Sequence, residues 1–247
     1  RLALDRVGAP QVGVRMHCTN RIPHSRGLGS SASAIVAGVT LARALIGDAD
    51  VLGRQEILEI GSHMEGHPDN VAPAVFGGAT VSWMNEETSE VGSVRLTPPE
   101  GINPVAFIPD FELRTAAARA ALPATVPHGD ASFNVARGAL LAAILSGGAQ
   151  ASAGADLHAL LMEATRDRLH QEQRRAAMEP SLALVDWLRG AGFAAVVSGA
   201  GPTVLSLEKV GADIRRDAAG AGWRVVPLAV AASGVQITRG SLAKVEF

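Results

Sequence analysis

The chain has 247 residues, a formal net charge of −2, 47% hydrophobic and 19% charged residues. That is enough for one large domain or two modest ones around a full core, in the range of ordinary globular proteins. No basic run suggests nucleic acid, and the single cysteine, Cys18, excludes an internal disulfide and suits a reduced, cytoplasmic setting.

The opening "RLALDRVG" reads as the end of a helix stopped by Gly8, so a further N-terminal piece is expected before it. Its charges at Arg1, Asp5 and Arg6 break any signal-peptide pattern. "QVGVRMHC" (11–18) sets Val12, Val14 and Met16 in period two and predicts a half-buried strand, with Cys18 as a small apolar strand residue. After a glycine-serine stretch, spacing predicts a helix from about Ser30 to Ile46, with Ile35, Val36, Val39 and Leu45 on its apolar face. A second runs from about Arg54 to Met64, with Ile57, Leu58 and Ile60 inward, and breaks at Gly66 and Pro68. "GGATVSWM", "SVRLT" and "NPVAFIP" read as three short strands of an antiparallel sheet.

The second half is richer in alanine helix: "RTAAARAAL", "FNVARGALLAAILSGG" and "SLALVDWLRGAG". The most apolar stretch, 138–149, is too short to span a membrane and follows Arg137 closely. Strands "FAAVVSG" and "PTVLSLE", a helix around 211–220, and strands "WRVVPLAV" and "GVQITRG" complete a split β-α-β sandwich of ferredoxin type. Two α+β lobes joined near residues 110–130 are expected, and Trp83, Trp187 and Trp223 are read as core.

Three glycine-bearing stretches punctuate this frame: "GLGSSAS" (27–33), "EGHPDNVAPAVFGG" (65–78) and "SGAGPTVLS" (198–206). "GLGSSA" satisfies the loose dinucleotide pattern, but residues from Pro23 on separate it from any strand end, and no lysine follows as a Walker loop requires. What remains is either a generous N-cap or an anion cradle, in which free N–H groups and the helix dipole meet a phosphate. His63 and His67 stand four apart and could in principle share a zinc ion, but Gly66 and Pro68 break the helix there. His63 is read instead as a surface or packing residue.

Taken together, "PHSRGLGSSAS", "EGHPDNVAPAVFGG" and "SGAGPTVLSL" resemble, in order, three motifs of the small-molecule kinases that include galactokinase, mevalonate kinase and homoserine kinase, the GHMP kinases. The middle motif is closer still to the homoserine kinases. The resemblance implies a two-lobed α+β fold, with a ribosomal-protein-S5-like N-terminal lobe (1–110, truncated at its start) and a ferredoxin-like C-terminal lobe (111–247). It implies an ATP-dependent kinase of a small alcohol, with ATP, Mg2+ and L-homoserine as ligands, no nucleic acid or membrane partner, and room for a homodimer. Pro23, His24, Ser25, Arg26, Gly27, Leu28, Gly29, Ser30, Ser31, Ala32 and Ser33 would form the nucleotide loop, with Ser30 or Ser31 offering a hydroxyl to Mg2+.

By the same resemblance Glu59, eleven residues before Asn70, would be the Mg2+ carboxylate, with Glu65 as its rival. Six residues apart, the two point about 120° from each other on an ideal helix. His67, Asp69 and Asn70 would face the acceptor. An amide at Asn70, where mevalonate kinase has an aspartate, implies direct attack by the substrate hydroxyl, with catalysis by positioning and charge stabilisation. Thr115, Arg119, Arg174 and Gly201 would complete the homoserine site, the two arginines on its carboxylate. Catalytic roles fall to Glu59, Asn70 and Arg119, and metal binding to Ser31 and Glu59. Two departures stand out: no asparagine-rich first motif precedes "RLALDRVG", and Glu172 and Gln173 stand where the family has proline and tyrosine. They leave open a sister kinase of another alcohol, or a non-catalytic nucleotide-binding homologue.

Overall fold

A computed structural model describes residues 1–48, 51–149 and 156–238. By internal packing the chain forms two compact units that interleave along the sequence. One is Arg1–Cys18, Ser31–Arg95 and Ala231–Phe247; the other is Thr19–Ser30 and Leu96–Val230.

The first unit contains α1 (Leu2–Arg6), most of α2 (Ser30–Ile46), α3 (Arg54–Glu65), α4 (Val71–Phe76) and a two-stranded sheet of β1 (Ala79–Met84) and β2 (Val91–Leu96). Its core follows the predicted helical spacing at Val36 and Val39 of α2 and at Ile57, Leu58 and Ile60 of α3, all buried, and α4, which the spacing did not predict, adds the buried Val71 and Val75. Gly66 ends α3 in the left-handed region, its N–H bonded to the Ser62 carbonyl, a conformation glycine reaches without steric cost. Leu45, expected inward, is 44% exposed because it lies past the edge of the buried stripe.

Residues 11–18 form no strand among the described residues. Val12, Val14 and Met16 are all more than half exposed and Cys18 is an exposed free thiol. Period-two alternation gives a chain two faces, but only a hydrogen-bonding neighbour makes it a strand. Residues 234–238 of the expected last strand are likewise not strand, and Arg239 and Gly240 lie outside the described residues.

The second unit is built on a four-stranded sheet ordered β4-β5-β3-β6, antiparallel throughout, from β3 (Val105–Ile108), β4 (Ala195–Val197), β5 (Val204–Ser206) and β6 (Arg224–Pro227). Here the expectation of one early three-stranded sheet is corrected, since β3 pairs with β5 and β6 and not with β1 or β2. All four β3 residues are buried, as a central strand covered on both faces requires. Phe107, Val204, Leu184 and Leu188 join α8 (Glu179–Gly190) to this sheet, and Ala218 does so for α9 (Ala212–Gly220). A second cluster around Ile144 and Leu161 holds α6 (His128–Leu145) against α7 (Leu157–Ala164). Between them lie the short α5 (Thr115–Ala120) and a 3-10 turn, Glu172–Ala177. Trp83 is 52% and Trp187 40% exposed, so both are surface residues rather than core; the Trp83 ring lies instead over Gly92.

Candidate active site

In the second unit, the glycine-serine loop is folded by contacts that sequence spacing does not reveal. Asn20 opens it: its side-chain oxygen accepts from the Ile22 N–H at 2.9 Å, an Asx turn before Pro23, and its amide reaches the Ile22 carbonyl, the His24 ring and the Ser30 hydroxyl at 3.0–3.2 Å. Ser30 Oγ also contacts His24 Nδ1. Of the two serines offered to a metal, Ser30 is thus occupied within the loop.

Arg26 has an anchoring role. Its guanidinium donates to the carbonyls of Pro109 at 3.1 Å and Asp110 at 2.6 Å and pairs with Glu112 at 3.2 Å. Its head group is thus held on the exit of β3. The far wall is the "SGAGPT" turn: Ser198 Oγ donates to the Gly27 carbonyl at 2.8 Å, and the Thr203 N–H to that of Arg26 at 3.3 Å. A Cβ on Gly27 would lie 2.4 Å from the Ser198 carbonyl oxygen and 2.7 Å from that of Gly201, and Gly27 and Gly29 both sit at φ near +70°. The glycines are therefore demanded by close approach and by left-handed backbone together. The N–H groups of Gly27, Leu28 and Gly29 meet no acceptor among the described residues. A loop of free donors leading into a helix is the arrangement that the cradle alternative expects.

The same unit carries the two arginines. Arg174 is 9% exposed; its Nε donates to the Ala118 carbonyl at 3.1 Å and one terminal nitrogen to that of Gly199 at 3.3 Å. Burial depresses its pKa and the nearby Arg119 guanidinium lowers it further, whereas Asp167 opposes both. Arg174 is thus a buried cation whose charge is opposed by a second cation and favoured by Asp167. Thr115 opens α5 and Arg119 lies in its last turn, four residues apart and so on one helix face. Gly201 sits at φ +84°, and a Cβ there would lie 2.7 Å from Met178 Sδ.

In the first unit, α3 and the turn after it hold the remaining predicted residues. Ser31 Oγ donates to Glu65 at 2.8 Å, while Glu59 accepts from Gln55 at 3.0 Å. The structure therefore brings Ser31 to Glu65 and does not bring it to Glu59. A hydroxyl and a carboxylate are the hard oxygen donors that Mg2+ takes. His67 hydrogen-bonds Asp69 through Nδ1, and Asp69 accepts the Asn70 N–H at 3.0 Å, so the three residues form one local turn ahead of α4. His63 is not part of it: its ring nitrogens face the carbonyls of Glu59 and Ser89. No three His, Cys, Asp or Glu side chains gather as a metal site among the described residues. No helix among them is long and apolar enough to cross a membrane.

Against known proteins, residues 1–78 match the GHMP kinase N-terminal domain and residues 141–219 the GHMP kinase C-terminal domain. The chain is 45% identical over 239 residues to the homoserine kinase of Streptomyces avermitilis, covering 96% of this chain and 75% of that protein. It is 44% identical over 238 residues to that of Corynebacterium efficiens, covering 94% and 74%. The crystal structure of homoserine kinase from Cytophaga hutchinsonii superposes with a TM-score of 0.73 at 22% identity over 87% of this chain and 69% of that one, a likeness of fold. With both family domains in order and such identity sustained over nearly its whole length, the chain belongs to the homoserine kinase family of the GHMP kinases.

Proposed function

We propose that this protein transfers the γ-phosphoryl group of ATP to the side-chain hydroxyl of L-homoserine, giving ADP and O-phospho-L-homoserine for threonine biosynthesis in the cytoplasm. The observation that carries the reading is the buried Arg174, held by the carbonyls of Gly199 and of Ala118, the residue before Arg119. A guanidinium so fixed loses little freedom when a substrate carboxylate takes its remaining N–H groups. The relatives named above are homoserine kinases, which supports the same choice.

In this reading the backbone N–H groups of Gly27 to Gly29 and the start of α2 hold the ATP phosphates. Ser31 with Glu59, or with the Glu65 carboxylate that its hydroxyl contacts, would hold Mg2+, which when bound neutralises phosphate charge. His67, Asp69 and Asn70 present polar groups to the acceptor, and Thr115 and Gly201 border it. The acceptor hydroxyl oxygen forms its bond to the γ-phosphorus as the bond to the β–γ bridging oxygen breaks. Asn70, an amide, orients the hydroxyl and does not take its proton, which passes to an oxygen of the transferred phosphoryl group. A loose phosphoryl-transfer transition state asks for this alignment and for fixed positive charge more than for a strong base.

The test is ADP release from Mg-ATP with L-homoserine, mevalonate and galactose offered separately at equal concentration. Turnover with L-homoserine alone supports the reading. Preference for either other alcohol refutes it, and release with none would mark a nucleotide-binding homologue.

A further inference from the structure

We propose that Asp167 is a positioning residue that sets the buried Arg174 in place through the turn between them. The proposal rests on the reading of Arg174 as the substrate-carboxylate ligand.

Asp167 lies seven residues before Arg174, and its side chain is 13% exposed. Five donors converge on its carboxylate. Oδ1 accepts from the Leu169 N–H at 3.2 Å, the Asn134 amide at 2.6 Å and the His170 ring at 3.2 Å; Oδ2 accepts from the N–H groups of His170 at 2.9 Å and Gln171 at 2.6 Å. The three backbone bonds wind residues 167–171 into a single turn, as a capping carboxylate does at a helix start. Asn134, on α6, ties that turn to the helix: its amide donates to Asp167 and its oxygen accepts the Arg168 N–H at 2.9 Å. At the other end Gln171 Oε1 accepts the Val197 N–H at 2.8 Å, at the end of β4. Val197 leads directly into the Ser198–Gly201 turn, whose Gly199 carbonyl receives Arg174.

The turn then hands its geometry on. The Arg174 N–H bonds back to the carbonyls of His170 and Gln171 at 3.2 and 3.0 Å, and its guanidinium reaches Ala118 and Gly199. Asp167 therefore fixes both the backbone that carries Arg174 and, through Gln171, the strand end that receives it. Its negative charge also opposes the burial and the Arg119 repulsion that disfavour the Arg174 cation. An amide in place of the carboxylate would turn an NH2 group toward donors and lose at least one of the five bonds.

The experiment uses the full-length kinase with Asp167→Asn, Arg174→Ala and the double variant. Asp167→Asn is expected to raise the homoserine KM about tenfold and leave the ATP KM and the circular dichroism spectrum unchanged. In the Arg174→Ala background it adds nothing, since a residue acting through Arg174 has nothing left to position. Losses that multiply in the double variant overturn the proposal. An NMR reading of the Arg174 Nε–H, in protein without substrate, separates the two claims. Faster exchange of that signal in Asp167→Asn, together with a double variant no worse than Arg174→Ala, upholds the positioning, and an unchanged signal overturns it. An unaltered homoserine KM in Arg174→Ala refutes the substrate reading alone. Should Asp167→Asn fail to fold, Asn134→Ala removes one donor and leaves the charge in place. A smaller homoserine KM rise with the same exchange change supports the proposal, and no change in either refutes it.

Discussion

Replacing Gly27 with alanine sets one methyl group against two carbonyl oxygens. The new Cβ would stand 2.4 Å from Ser198 O and 2.7 Å from Gly201 O, so the loop or the turn must yield by about 0.6 Å to reach even 3.0 Å. Both atoms are backbone, with no flexible side-chain end to swing aside. Alanine at φ +72° adds a left-handed penalty of about 1–2 kcal/mol. Separating the loop from the turn also removes the Ser198–Gly27 hydrogen bond, worth about 1 kcal/mol. The control is Gly192→Ala in the same unit, at φ +86° with nothing within 4 Å of its Cβ, which bears the left-handed penalty alone. Calorimetric titration with ATP should therefore show Gly27→Ala weakened by at least about tenfold and Gly192→Ala unchanged, although both lose thermal stability. Equal ATP affinities in the two variants would refute the assignment of this loop to the phosphates.

Arg119→Ala and Arg174→Ala should each raise the homoserine KM about ten- to a hundredfold, the worth of a charge-assisted pair of roughly 1.5–3 kcal/mol, with the ATP KM nearly constant in steady-state kinetics. Glu59→Gln should abolish the Mg2+ enhancement of ATP binding seen by calorimetry; if Glu65→Gln does so and Glu59→Gln does not, the carboxylate that contacts Ser31 is the ligand. Burial pushes the Asp167 carboxyl up, but hydrogen bonds from His170, the Gln171 N–H, Asn134 and the His170 N–H outweigh it and hold the group well below the ordinary carboxylate range. Its stabilising contribution is therefore complete above the unfolded value of about 3.9 and is lost as pH falls through the lower folded value. Urea unfolding should show the stability gap between wild type and Asp167→Asn wide at pH 6 and narrowing below about pH 4, and a gap constant down to pH 3 would contradict this.

The helices were readable wherever an apolar stripe met a clear stop. Ile57, Leu58 and Ile60 gave the buried face of α3, and Gly66 its end, because spacing and left-handed capping are local properties. Sheet membership is not local. The run Val105–Ile108 carried a signal, four consecutive apolar residues where an edge strand would alternate, but its partners lie a hundred residues onward at β5 and β6. The 11–18 segment shows the converse: its pattern suits a strand, yet pairing depends on what lies beside it. At the candidate site the glycine stretches located the loop, and the need for glycine at position 27 became visible only with the carbonyls of Ser198 and Gly201 beside it. Asn20 carries a legible signal, an asparagine three residues before a proline, the setting of an Asx turn. Asp167 had none, since its donors come from α6 and from a turn that exists only once the carboxylate has wound it.

The central claim is that Arg119 and Arg174 recognise the carboxylate of the acceptor. The most direct measurement compares kcat/KM for L-homoserine with that for 3-aminopropan-1-ol, which keeps the hydroxyl and the amine and lacks the carboxylate, in wild type and in Arg174→Ala. The account predicts a wild-type preference for L-homoserine of at least about a hundredfold that shrinks by about ten- to a hundredfold in the variant. A preference that stays the same in both proteins would contradict it.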